Sequence, residues 1–311
     1  MRSTVFSAIM VILAALPFSN KNMVWAQAPK QPDSAITQFP EVTLFGSETR
    51  MLHSDIVNED FEIYISYPLG PPASDTVYPV LYCLDANRSF GLVSNVVNIL
   101  SMPYQEIPYM LVVGIGYPIE SMADWGAWRR RDLTPTHDST SDKNWTDFLA
   151  ELSGRDDIVV RSGGGPKFLE FIRQELIPFI EANYPVSSTD RSLVGFSLSG
   201  LFSLYALLES PGTFKRYLAG SPSITWDNNV LFQYERKFAE NNSDLAARVF
   251  MSIGTLENEA NIANVNKLTE LLHSRNYPNL ELETRIFDNE THSSGVAGAI
   301  SRGLLVIFND R

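Results

Sequence analysis

The sequence predicts an α/β fold: a mostly parallel central sheet with helices on both faces and a lid-like insertion. Three observations lead there. Short, continuous apolar runs alternate along the chain with segments of helical periodicity. The runs are apolar throughout, as strands covered on both faces require. One run, ending at Phe196, passes through a turn of small residues straight into a second apolar stretch that reads as a helix.

Taken in order, the chain begins with an export signal. Arg2 is followed by an apolar stretch from Val5 to Leu16, which Pro17 ends, and Val24-Trp25-Ala26 fits a signal-peptidase site. Cleavage after Ala26-Gln27-Ala28 is the second option. The run is shorter than the ~20 residues a membrane span needs. Residues 27–40, rich in Pro, Gln and Ser, read as a disordered leader, which leaves 41–311 as one catalytic-size domain destined for the periplasm or the exterior.

Val42 to Phe45 and Phe61 to Tyr67 alternate apolar and polar residues, as antiparallel edge strands do. Buried parallel strands are predicted at Val80–Leu84, Met110–Ile115, Leu193–Phe196, Tyr217–Gly220, Val249–Ile253 and Leu282–Phe287. Helices are predicted at Phe168–Ile180, Ile262–Ser274 and Val296–Phe308 from apolar residues spaced three and four apart. Strand and helix alternation of this kind implies a parallel sheet. Residues 121–165 show weak periodicity and carry Trp125, Trp128 and Arg129-Arg130-Arg131-Asp132. A long irregular insertion is read either as a lid over a site or as a surface excursion whose arginines pair with acids.

The net charge is −12, and removal of Arg2 and Lys21 with the export signal brings it to −14. So acidic a chain argues against nucleic acid and anionic membrane surfaces as partners. A single cysteine, Cys83, excludes an internal disulfide and reads as a small core residue within a strand. No metal-ligand spacing, dinucleotide fingerprint or phosphate loop is present, so no cofactor and no metal are implied.

The chemistry centres on Ser197. In Gly195-Phe196-Ser197-Leu198-Ser199-Gly200, strand, tight turn and helix follow one another at once. This is the nucleophile elbow of an α/β-hydrolase fold, in which the serine Oγ projects above the carboxyl edge of the sheet. Gly195 supplies one of the small residues the turn needs, and Ser199 stands where a second glycine is usual. A serine nucleophile requires a base, and the base an orienting acid, in the chain order serine, acid, histidine. Of the histidines after Ser197, His273 falls in a helix and His292 in the loop after the last strand, where sites assemble. His292 is therefore the expected base. Glu257, in the loop after the preceding strand, is the expected acid, with Glu259 and then Asp288 as alternatives. The oxyanion donors are expected to be the backbone amides of Leu198 and Asn87.

These residues resemble an α/β-hydrolase esterase family that includes siderophore esterases, formylglutathione hydrolases and mycolyltransferases. The likeness, to the siderophore esterase branch, is carried by Leu81-Tyr82-Cys83-Leu84-Asp85-Ala86-Asn87, Arg130-Arg131-Asp132-Leu133-Thr134-Pro135-Thr136, Ser197 to Leu207, Ser221-Pro222-Ser223-Ile224-Thr225-Trp226-Asp227 and Glu290-Thr291-His292-Ser293-Ser294. Phe196 and Ser199 depart from the family pattern. The resemblance implies a serine esterase acting on a small-molecule ester through an acyl-enzyme and a Ser-His-Glu triad. Asp85, Arg88, Arg130, Arg131 and Trp226 are its expected substrate-side residues, with at most one or two of the consecutive arginines facing the pocket. An acyltransferase with the same triad and a non-catalytic ligand-binding protein on this fold are the alternatives. The first differs in excluding water from the acyl-enzyme, the second in losing a triad member.

Overall fold

The computed structural model describes residues 42–70 and 76–309; the expected signal peptide and leader lie outside the described residues. Eight strands form one sheet: β1 (Ser47–Ser54), β2 (Glu59–Ser66), β3 (Tyr78–Cys83), β4 (Leu111–Gly116), β5 (Val186–Phe196), β6 (Arg216–Gly220), β7 (Ala247–Gly254) and β8 (Leu280–Phe287), in the order β1-β2-β4-β3-β5-β6-β7-β8. β1 and β2 are antiparallel to their neighbours, and from β4 to β8 every pairing is parallel. The helices are α1 (Ala86–Ser101), α2 (Met122–Asp132), α3 (Ser139–Ser153), α4 (Gly165–Phe171), α5 (Ile177–Asn183), α6 (Leu198–Glu209), α7 (Trp226–Asn229), α8 (Leu231–Asn241), α9 (Glu259–Ser274) and α10 (Gly295–Phe308).

The apolar runs divide by parity, because successive strand side chains point to opposite faces. Val80, Tyr82, Val113, Leu193, Tyr217, Val249 and Met251 pack on one face against α4, α6, α8 and α9. Leu81, Cys83, Val112, Val194, Leu218 and Phe250 pack on the other against α1 and α10. A strand buried on both sides has no polar alternation, which is why these segments read as unbroken apolar runs.

Three expectations are corrected. Val42 to Phe45 is not a strand. The edge strand is β1, six of whose eight residues are polar, so it carries no face pattern to read. Phe45 is left exposed. The Phe168–Ile180 helix is interrupted by a π turn over Ile172–Leu176, with Ile177 N–H donating to the Ile172 carbonyl. Pro178 follows directly and has no N–H to continue the α-helical ladder.

The insertion, expected to be irregular, holds two capped helices. Ser121 and Asp124 close a capping box on α2. The Asp138 carboxylate accepts from the amides of Thr140 and Ser141 at the start of α3, and Gly154 ends it with a positive φ. The polar composition hides the pattern because the pair buries a small cluster of its own, with Ala123, Ala127 and Leu149 at its centre.

Candidate active site

The elbow follows from close packing. A Cβ on Gly195 would lie 2.1 Å from the Ser199 carbonyl oxygen, so only glycine lets β5 and α6 approach there. Ser197 adopts φ 65°, ψ −120°, a region L-residues avoid, and its N–H donates to the Gly220 carbonyl at 2.9 Å. Ser199 does more than replace a glycine. Its hydroxyl donates to the Phe196 carbonyl at 2.7 Å and accepts from the Phe196 amide at 2.9 Å, tying the turn from inside. The closest approach to β6 passes to Gly200, whose Cβ would meet the Gly220 carbonyl at 2.8 Å.

His292 stands in the loop between β8 and α10. Its Nδ1 lies 2.7 Å from Glu257 Oε2, and its ring packs on Phe196 with centroids 5.1 Å apart. The imidazole is half exposed, whereas the Glu257 side chain retains only 3% exposure. Glu257 Oε1 accepts from the Ser221 hydroxyl at 2.6 Å and from the Gly254 amide at 2.9 Å. Burial pushes the Glu257 carboxyl up, but the bonds from His292, Ser221 and Gly254 outweigh it and hold the pKa below the ordinary glutamate value. Glu259 opens α9 without contacting His292, and Asp288 accepts from Thr255 and Asn289 instead. Ser197 Oγ faces Ser223 Oγ at 3.4 Å, and no hydrogen bond joins it to His292 among the described residues. Unliganded sites commonly hold such contacts long.

Ser197, Ser199, His292 and Ser293 line a cavity of about 270 Å³ together with Asp85, Arg88, Trp125 and Arg129. Leu84, with Leu92 and Val93 of α1 and Val296 and Ile300 of α10, adds apolar lining. Cys83 reaches this lining, but burial pushes its thiol up to about 12, which leaves no thiolate. The amides of Leu198 and Asn87 sit in the first turns of α6 and α1, where no earlier intrahelical carbonyl is available to them. The Asn87 side chain is engaged elsewhere: it clamps the amide and carbonyl of Tyr117 at 2.9 and 2.8 Å.

The arginine run is redistributed. Only Arg129 lines the cavity, joined to Asp85 by two hydrogen bonds of 2.8 and 2.6 Å in a buried pair. Arg130 and Arg131, expected at the substrate side, point elsewhere. Arg130 is buried over Trp145, 3.2 Å from its ring centre, and donates to the Gly126 carbonyl. Arg131 pairs with Glu59 and Asp132. Helical residues 100° apart cannot share a target, and the packing of α2 selects which one faces inward. Trp226 also lies outside the cavity, its indole N–H donating to Thr136 of the insertion. Ser221, Ser223 and Trp125 appear in the sequence reading within longer stretches, without individual roles; the structure gives Ser221 to Glu257, Ser223 to Ser197 and Trp125 to the cavity. Trp125 and Arg129, four residues apart behind the Ser121–Asp124 capping pair, carried the one available signal of a shared helix face.

An eight-stranded, mostly parallel sheet with a strained serine at the head of a helix defines an α/β hydrolase. Residues 132–295 match the family model described as "Putative esterase". The chain is 32% identical over 272 residues to the ferri-bacillibactin esterase BesA of Bacillus subtilis, covering 84% of this chain and 89% of that one. It is 26% identical to the siderophore triacetylfusarinine C esterase of Aspergillus fumigatus, over 86% and 95% of the two chains. Among solved structures it is similar to the BES protein from Bacillus cereus, with a TM-score of 0.75, 29% identity, and 89% and 100% of the chains covered. The chain belongs to this esterase family and is a carboxylic ester hydrolase. Among the described residues no helix is long and apolar enough to cross a membrane.

Proposed function

We propose that the protein is an exported serine esterase that cleaves siderophore-type esters through Ser197, His292 and Glu257. The observation that carries this reading is the 2.7 Å His292–Glu257 contact beside a cavity that Ser197 also lines. Glu257 accepts Nδ1–H, which leaves Nε2 of His292 unprotonated and able to take the Ser197 proton. Ser197 Oγ attacks the ester carbonyl, and the amides of Leu198 and Asn87 receive the developing oxyanion. The alkoxide leaves with the proton carried by His292. Water, deprotonated by the same imidazole, then releases the acid and restores the serine.

Two of the relatives above are named as esterases of ferri-bacillibactin and of the siderophore triacetylfusarinine C, and a cavity lined by an aromatic ring and two guanidinium groups suits the polar, aromatic or chelating parts of such esters. Export is supported by the Arg2, Val5–Leu16, Ala26 pattern alone.

The test is activity with a labelled nucleophile. A fluorophosphonate probe should mark the wild type at Ser197, and Ser197→Ala should abolish both labelling and ester hydrolysis without lowering Tm. Labelling at Ser199, Ser221 or Ser223, or hydrolysis surviving in Ser197→Ala, would refute the assignment.

A further inference from the structure

Asn87 carries a free backbone amide and a fully engaged side chain. α1 starts abruptly: Asp85 stands before it at φ 55°, and its carboxylate goes to Arg129 instead of capping the helix. The amides of Arg88 and Ser89 donate to the Asp85 carbonyl at 3.0 and 3.1 Å. The Asn87 amide has no acceptor among the described residues, which leaves it for an oxyanion. The carboxamide of the same residue is bonded at both ends. Its Oδ1 accepts from the Tyr117 amide at 2.9 Å, and its Nδ2 donates to the Tyr117 carbonyl at 2.8 Å and to the Tyr64 hydroxyl at 3.3 Å. Tyr117 directly follows β4, so this clamp joins the loop after β3 to the end of the neighbouring strand. The anchor is itself fixed: the Tyr117 side chain is buried, its ring centre 5.8 Å from that of Phe61 and 5.9 Å from that of Trp128, which it meets edge-on. Gly116 permits the approach, since a Cβ there would lie 3.1 Å from Asn87 Oδ1 and 2.5 Å from the Tyr64 ring.

We infer that the Asn87 side chain is a positioning group for ester hydrolysis: by gripping the Tyr117 backbone it fixes the direction in which the Asn87 amide meets the oxyanion. The inference rests on the esterase reading above. Oxyanion stabilisation depends on donors that are aligned before charge develops, so that nothing reorganises during the reaction. A planar carboxamide bonded through both its oxygen and its nitrogen has little freedom at χ1 and χ2. The Cα is then held as well, and the N–H on it cannot swing. Groups that support a donor in this way set its geometry to within fractions of an ångström, and a shift of about 1 Å in a reacting geometry costs up to about 10² in rate. A tie between two loops that served stability alone would have no reason to fall on the residue whose amide is spare.

The experiment separates oxyanion binding from ground-state binding. 1,1,1-Trifluoro-4-phenylbutan-2-one inhibits serine esterases by addition: the Oγ–carbon bond forms, the carbonyl π pair moves to oxygen as the oxyanion, and the serine proton passes to the histidine. 4-Phenylbutan-2-one has nearly the same shape and binds without that addition. Losing an oxyanion donor outright costs about 10² to 10³ in rate, so a donor that is only loosened should cost about tenfold. Asn87→Ala keeps the backbone amide and removes the clamp. In that variant the Ki of the trifluoromethyl ketone should rise, and kcat/KM for p-nitrophenyl acetate should fall, by about that factor, while the Ki of the methyl ketone stays at the wild-type value. Asn87→Asp keeps the bond from the Tyr117 amide but sets a carboxylate oxygen against the Tyr117 carbonyl, which opens the clamp on one side. It should show the same selective loss, and it carries the test if the alanine variant does not fold. Equal weakening of both ketones, or a lower Tm with both Ki values unchanged, would overturn the inference and leave Asn87 a structural tie. Failure of the esterase reading shows differently, as hydrolysis that persists in Ser197→Ala.

Discussion

Replacing Glu257 by glutamine isolates the role of its charge, because the site dictates how the amide must lie. Oε1 accepts from the Gly254 amide at 2.9 Å and from the Ser221 hydroxyl at 2.6 Å. The hydroxyl can rotate to accept, but the backbone N–H cannot. The glutamine oxygen must therefore stay on that side, and its NH2 group turns toward His292. There it donates to Nδ1 over the 2.7 Å contact, which forces the ring proton onto Nε2. The base then has no lone pair for Ser197. The wrong tautomer costs about 10⁴ in kcat in serine hydrolases, or about 5 kcal/mol of barrier at 1.36 kcal/mol per tenfold. The assay is p-nitrophenyl acetate hydrolysis across pH, with Glu259→Gln and Asp288→Asn as parallel variants. Glu257→Gln should lose about 10³ to 10⁴ in kcat at every pH, with KM little changed. Activity within tenfold of wild type, or an equal loss in either parallel variant, would refute the tautomer argument.

Three further outcomes are expected. Gly195→Ala places a methyl 2.1 Å from the backbone oxygen of Ser199, so the elbow cannot close; stability should drop by about 3 kcal/mol or more in urea titrations. Asp85→Asn keeps a residue type that tolerates φ 55° but leaves Arg129 buried without its counter-ion; unfolding should show about 3–5 kcal/mol lost, and adding Arg129→Met should recover part of it. The depressed Glu257 pKa makes its ionised form stabilising above the usual 4.5, and that contribution disappears as pH falls through the lower folded value. The Tm difference between wild type and Glu257→Gln should accordingly hold down to about pH 5 and shrink in more acidic buffer.

Features that depend on local pattern and chain order are legible in the sequence. Ser197 is legible because strand, small-residue turn and helix must be contiguous for an elbow to exist. The inner strands are legible because burial on both faces removes polar alternation. The Glu257 and His292 loops follow from the order of parallel strands, since each loop at a carboxyl end must open on the same edge of the sheet. Tertiary structure alone decided which of three consecutive arginines meets the cavity. The residues are chemically identical, and only the docking of α2 turns Arg129 to Asp85, Arg130 onto Trp145 and Arg131 to Glu59. It likewise decided that β1 begins at Ser47, because an exposed edge strand is specified by its hydrogen bonds to β2 and not by its own side chains. The polar lining of the cavity is of the same kind. Asp85 caps α1, which carries Arg88, whereas Trp125 and Arg129 lie on α2, and a contact between distant segments has no local period by which to be read.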